Sequence, residues 1–163
     1  MESLLKDKTD DYFIREALKE AKEAFDKGEV PVGAVLAHNN KIIARGHNLR
    51  ETLHDPTAHA EMIAITQAAE HFGNWRLNNV TLYATLELCP MCAGAVLQGR
   101  IPTVVYGATD PVGGACGSVF DLFSTPSCNH TVTVRGSVLE EECGELLRSF
   151  FRSRRRQNQI SRN

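Results

Sequence analysis

Strand-like and helix-like segments alternate along this sequence, which restricts the chain to architectures in which helices cover a sheet. Residues 9–27 place Phe13, Ala17, Leu18, Ala21, Ala24 and Phe25 at helical spacing, with an Asp/Thr start and Gly28 as a stop. Residues 32–36 and 41–45 are strand-like, separated by Asn39-Asn40, which tolerate the positive φ of a tight hairpin turn. A polar loop is expected over 48–57, then a helix from Ala58 to about Phe72. Beyond it, 80–86 reads as a buried strand, 90–98 as a short helix, 104–107 as a strand and 131–135 as a weaker strand. A last helix runs from about Leu139 into an arginine-rich tail that begins near residue 146. The expected result is an α/β sandwich with two helices emerging from loops in its middle. No repeat or interior linker interrupts the pattern, so one domain is expected over 1–163.

With 163 residues, 42% hydrophobic and 23% charged, the chain suits a single core, and disordered, collagen-like and disulfide-dense classes are excluded. No apolar run approaches the ~20 residues of a membrane span, and residues 1–11 are polar and acidic, unlike a secretory signal. Five irregularly spaced cysteines favour reduced thiols and a cytoplasmic setting. The net charge of −2 conceals a segregation. Up to Glu145, twelve basic residues face twenty acidic ones, a balance of −8; after it stand Arg148, Arg152, Arg154, Arg155, Arg156 and Arg162 with no acid, a balance of +6. A basic tail on an acidic body fits a polyanionic partner, and equally fits a solvated tail that maintains solubility.

Two segments carry candidate chemistry: Thr57-Ala58-His59-Ala60-Glu61 and Leu88-Cys89-Pro90-Met91-Cys92. Cysteines two residues apart at a helix start can face one ion, and Pro90 favours a start at that position. Alone, the Cys-x-x-Cys pair is also compatible with a redox couple, half of a structural zinc site, or two small buried residues. His59 at a second helix start supplies a third ligand of matching softness. On a regular helix His59 and Glu61 lie about 200° apart. They converge only on a site beyond the helix end, with His59 as a first-turn ligand and Glu61 as an acid/base group that does not bind metal. Three protein ligands leave one tetrahedral position for water, the mark of a catalytic rather than a structural zinc.

The His-x-Glu and Pro-Cys-x-x-Cys pairing is the signature of zinc nucleobase deaminases. The sequence resembles the bacterial tRNA adenosine deaminases of the zinc-dependent cytidine/deoxycytidylate deaminase superfamily, from about Asp10 to Arg156. The segments that carry the likeness are Glu29-Val30-Pro31-Val32-Gly33-Ala34-Val35, His54-Asp55-Pro56-Thr57-Ala58-His59-Ala60-Glu61, Cys89-Pro90-Met91-Cys92-Ala93-Gly94-Ala95, Tyr106-Gly107-Ala108-Thr109-Asp110 and Phe150-Phe151-Arg152-Ser153-Arg154-Arg155. The first three are shared in part with guanine and cytosine deaminases, whereas the Asp110 segment and the Phe-Phe-Arg tail point to tRNA. Two residues depart from the pattern, Leu88 where proline is usual and Val112 where lysine is common.

The resemblance implies a three-layer sandwich around a mixed five-stranded sheet, of the cytidine deaminase-like kind. It also implies a homodimer, and one zinc ion per chain held by His59, Cys89 and Cys92. The implied reaction converts wobble adenosine in the tRNA anticodon stem-loop to inosine, with Glu61 passing a proton from water to N1 and later to the leaving ammonia. Asn48 would hydrogen-bond the nucleoside, backbone groups near Val30 and Ala60 would line the pocket, and Asp110 would meet the target sugar. Phe150 and Phe151 would stack on loop bases, one of them also packing in the core, while Arg152, Arg154 and Arg155 hold phosphates. His38, His47, His54, His71 and His130 are expected as surface or loop residues, and Cys116, Cys128 and Cys143 as ordinary thiols. Two other functions remain compatible with the zinc motif: a free-base or nucleoside deaminase, and a structural zinc module with a fourth ligand from Cys116, Cys128 or Cys143.

Overall fold

The structure is a computed structural model and describes residues 8–125 and 130–162; Cys128 lies outside them. Helix α1 (Asp10–Asp26) is capped by the Thr9 side chain, which accepts from the Tyr12 amide, and carries Asp10 and Asp11 in its first turn. It leads to β1 (Gly33–His38) and β2 (Lys41–His47), joined by Asn39 and Asn40 at φ 48° and 62°. A short helix α2 (Arg50–Leu53) precedes α3 (Ala60–Phe72), β3 (Thr81–Leu86), α4 (Pro90–Gln98), β4 (Thr103–Ala108), β5 (Thr133–Arg135) and α5 (Glu140–Ile160).

The strands form one five-stranded sheet in the order β2-β1-β3-β4-β5. Strand β1 runs antiparallel to both neighbours, and β3, β4 and β5 are parallel, so the sheet is mixed. Both faces are covered. On one, Phe13, Ile14, Ala17 and Leu18 of α1 and Cys143 of α5 pack on Val35, Tyr83 and Val105. On the other, Ala60, Ala64 and Ala68 of α3 and Cys92 and Val96 of α4 pack on Leu36, Leu82, Ala84 and Val104. Alternate residues of each strand serve opposite faces, which makes three layers from two core clusters.

The register brings the ends of the elements together. Gly33 at the start of β1 pairs with His47 at the end of β2, while Leu86 and Ala108 at the ends of β3 and β4 pair with each other. The segments leaving β2, β3 and β4 and the one entering β1 therefore meet at one edge of the sheet.

The segment 48–57 differs from the expected irregular loop, because it contains α2. Asn48 Oδ1 accepts from the Arg50 amide and the buried Glu29 carboxylate accepts from the Glu51 amide. These acceptors satisfy the first turn from one side chain nearby and one far away in sequence. Strands β1 and β2 each end two residues beyond their apolar runs, and β1 begins one residue later, with a bulge between Leu36 and Ala37.

Helix α3 is pressed against β2 at Gly46, where an added Cβ would stand 2.5 Å from the Ala60 carbonyl oxygen and 3.0 Å from the Ala64 amide nitrogen. Gly33 plays the same part for α1, meeting the Ala17 carbonyl on the opposite face. Gly46→Ala is expected to cost about 1–3 kcal/mol by overpacking. It should therefore lower Tm by roughly 3–10 °C at this chain length. A thermal unfolding midpoint within 1 °C of the parent would contradict this close approach.

Candidate metal centre and its cleft

His59 and Cys89 occupy equivalent positions in two different helices. His59 is the N-cap of α3 and Cys89 the N-cap of α4, both with extended backbone (φ −76°, ψ 150° and φ −75°, ψ 169°), and neither side chain caps its own helix. Pro90 takes the first position of α4, where its fixed φ suits the helix and its missing N–H has no cost. Cys92 follows on the first turn. His59 Nδ1 lies 3.5 Å from Cys89 Sγ and 3.5 Å from Cys92 Sγ. The three ligand atoms all fall within 4.8 Å of one another, a group able to hold a metal ion. Among the described residues no fourth His, Cys, Asp or Glu belongs to it. His59 thus stands one residue ahead of the first turn expected for it, which turns its ring away from the helix and toward the thiols.

The protonation of the group fits a cation. Hydrogen bonding from the Cys92 thiol, supported by His59, holds Cys89 down to about 4. The same bond and burial keep the proton on Cys92, and the bond to Cys89 pushes His59 upward. One thiolate shares protons with two neighbours, and an ion would displace them. Glu61, buried in the first turn of α3, is pushed up to about 7, chiefly by burial, with Cys89 adding and His59 opposing. It can hold or release a proton near neutrality.

His59, Glu61 and Cys89 line a cavity of about 190 Å³. Its remaining wall includes Val30, Asn48, Ala60 and Asp110. Asn48 is buried, donates to the Val30 carbonyl at 3.3 Å and accepts from the Arg50 amide at 3.2 Å. Asp110 Oδ1 braces its own loop, accepting from the Val112 and Gly113 amides at 2.9 and 3.2 Å.

The tail separates into unequal parts. Phe150 is buried against Phe25, at 5.7 Å between centroids, while Phe151 is 46% exposed. Arg154 bonds to the Gly28 carbonyl and covers the Phe150 ring, Arg152 pairs with Glu145 at 2.6 Å, and Arg155 is exposed. A second cavity, of about 260 Å³, is walled by Phe150, Phe151 and Arg154, and shares Val30, Asn48 and Arg50 with the first.

Three residues that shape the cleft have no counterpart among the sequence expectations. Glu87 is almost fully buried and accepts from the amides of Asp110, Cys116 and Ser118 at 3.2, 3.0 and 3.2 Å, and from the Ser118 hydroxyl. Glu29 anchors α2, and Arg50 stands between the two cavities. The one signal in the sequence is an acid inside each apolar motif, Glu29 before Val30 and Glu87 before Leu88. Leu88 itself is fully buried and Val112 is 87% exposed. Of the other histidines, His38 bonds to the Asn79 carbonyl, His47 to Glu20 and Lys27, and His130 to the Ile101 carbonyl. Neither Cys116 nor Cys143 joins the metal group.

A three-layer mixed sheet with His and Cys-x-x-Cys presented by two helix starts defines a deaminase of the cytidine deaminase-like fold. In keeping with this, residues 8–155 match the MafB19-like deaminase family. A tRNA-specific adenosine deaminase of Bacillus subtilis (strain 168) is 52% identical over 153 residues, covering 94% of this chain and 95% of that protein. A structure from a study of A-to-I editing by tRNA:A34 deaminases at the wobble position superposes with a TM-score of 0.81 at 45% identity, covering 83% of this chain and 99% of that one. A guanine deaminase from Bacillus subtilis matches with a TM-score of 0.61 at 34% identity, over 77% and 83% of the two chains. The chain belongs to the family of tRNA-specific adenosine deaminases.

In the metal-free protein, Cys89 should be alkylated by iodoacetamide before Cys116 and Cys143. Its rate should be nearly flat between pH 6 and 8, because a thiol held near 4 is already ionised there. Cys116 and Cys143, pushed up to about 12, should instead gain roughly tenfold per pH unit. Peptide mass spectrometry distinguishes the two, and a tenfold rise per pH unit at Cys89 would contradict its assigned state.

Proposed function

We propose that this chain deaminates adenosine to inosine, hydrolytically, at the wobble position of the tRNA anticodon stem-loop, with one zinc ion held by His59, Cys89 and Cys92. The observation that carries the reading is the three-ligand group with Glu61 buried beside it in a cavity, within a chain 52% identical to a tRNA-specific adenosine deaminase. The donor set fits zinc. Zinc bonds of ~2.3 Å to sulfur and ~2.0 Å to nitrogen put the two ligand atoms about 3.5–3.6 Å apart on a tetrahedron. The nitrogen–sulfur separations here are both 3.5 Å.

When bound, zinc supplies a water acidified enough to attack carbon near neutral pH. The chain's own groups do the rest. Glu61 takes a proton from the attacking water and delivers it to purine N1 as C6 becomes tetrahedral. It then passes a proton to the exocyclic nitrogen, which leaves as ammonia, so that adenosine and water give inosine and ammonia. The burial that raises Glu61 suits a group that must both accept and give a proton. Asn48, with backbone groups of Val30 and Ala60, orients the nucleoside, and Asp110 meets its sugar. Phe151 stacks on a loop base, with Phe150 as the buried ring behind it, and Arg152, Arg154 and Arg155 meet phosphates. On this reading residues 1–163 act as a single domain in the cytoplasm, as a homodimer.

The test is an anticodon stem-loop bearing wobble adenosine, scored for inosine beside free guanine and cytosine as competing substrates. Chelation should abolish turnover and zinc restore it, at one ion per chain. Glu61→Ala should keep the zinc and lose at least about 10²-fold in rate. Full activity in that variant, or turnover of guanine alone, would overturn the assignment.

Separately, Arg152→Ala with Arg154→Ala and Arg155→Ala should flatten the dependence of log affinity on log salt by about 0.7–0.9 for each phosphate the tail ceases to neutralise. An unchanged slope in the folded variant would make the tail a solubility feature.

A further inference from the structure

The reaction gives a purpose to the cavity beside Glu61 but none to the guanidinium of Arg50. Arg50 lies where the two cavities meet, on the wall they share with Val30 and Asn48. The other two are uncharged, and Asn48 already uses one donor on the Val30 carbonyl and one lone pair on the Arg50 amide. The Arg50 side chain is exposed and makes no hydrogen bond or ion pair among the described residues. Of the two arginines lining these cavities, Arg154 is held toward the tail by the Gly28 carbonyl and the Phe150 ring, whereas the guanidinium on the shared wall, that of Arg50, has no such protein partner among the described residues. Its backbone is fixed in place, because Glu29, itself fully buried, holds the next residue's amide and the Arg50 carbonyl accepts from Asp55. The exposed acid Glu51 lines the second cavity as well, which leaves Arg50 as the available cation on the shared wall.

We propose that Arg50 is a specificity residue that makes the cleft demand a phosphodiester. Its guanidinium takes the phosphate joining the target nucleotide to a neighbour whose base lies in the second cavity, against Phe150 and Phe151. This rests on the reading of the substrate as RNA and deepens it. A strand with one base in each cavity must carry its linkage over the shared wall, and a planar guanidinium suits two phosphate oxygens at once. A free nucleobase or nucleoside lacks that linkage, so the wall rewards a polynucleotide.

The experiment uses the zinc-loaded full chain and stem-loops carrying a neutral methylphosphonate at the linkage on either side of the target adenosine. Arg50→Ala should lower kcat/KM and affinity for the all-phosphate stem-loop about 10- to 100-fold, the scale of one charge-assisted hydrogen bond. Its salt slope should fall by about 0.7–0.9. Methylphosphonate at one of the two linkages should cost the parent enzyme a similar factor and cost Arg50→Ala nothing more. Arg50→Gln should resemble Arg50→Ala, and Arg50→Lys should fall between, which a packing role would not produce. Equal methylphosphonate penalties in parent and variant, or Arg50→Ala within twofold of the parent, would overturn the proposal. Coupling seen in binding without inosine formation would retain the phosphate interaction and remove the reaction, so the two failures are distinct.

Discussion

Everything at the working edge of the sheet depends on two helices surrendering their caps. An N-cap side chain ordinarily satisfies an amide of the first turn, and its loss costs about 1 kcal/mol. In α3 and α4 the cap positions are His59 and Cys89, whose side chains turn toward each other. The bare first turns leave amides and positive dipole ends near a thiolate, which favours the charge that a cation needs as a partner. Tertiary packing offsets the lost caps. Ala60, Ala64 and Ala68 are completely buried in α3, and Ala93 and Val96 in α4, so both helices are held by the sheet rather than by their own ends.

Around that edge, buried carboxylates act as fasteners. Glu87 collects three amides and a hydroxyl from 110–118 and ties the loop bearing Asp110 to the segment that enters Cys89. Glu29 does the same for α2 and Arg50. A carboxylate that accepts several backbone N–H bonds is well compensated for its burial, and the loops it ties gain an order that their own sequences do not specify. Gly114 is part of the fit, because a Cβ there would meet the Glu87 carboxylate.

What could be read from the sequence was local. The Asn39-Asn40 turn, the Thr9 cap, Pro90 at a helix start and the spacing of His59, Glu61, Cys89 and Cys92 each follow from a few adjacent residues. What could not be read depends on partners far along the chain. Helix α2 needs Glu29, 22 positions before Glu51. Which of Phe150 and Phe151 packs is settled by Phe25 on α1. Arg152 and Arg155 look alike in the arginine run, yet among the described residues only the first has an acid within reach. Glu87 resembles any acid beside a strand until the fold gathers amides around it.

The far walls of the two cavities come from different layers. The metal group hangs from α3 and α4 on one face of the sheet, whereas the far wall of the second cavity is α5, which belongs with α1 on the other. From Phe151 onward α5 is exposed, and its hold on the body narrows to interactions such as that of Arg154 with Gly28. Local opening is cheapest where few buried groups must separate. Opening the cleft costs least at that exposed end of α5, which carries no residue of the metal group. The wall of the second cavity and the metal group are thus built on separate helices, so a substitution in the exposed part of α5 reshapes that cavity without touching the helices that present His59, Cys89 and Cys92.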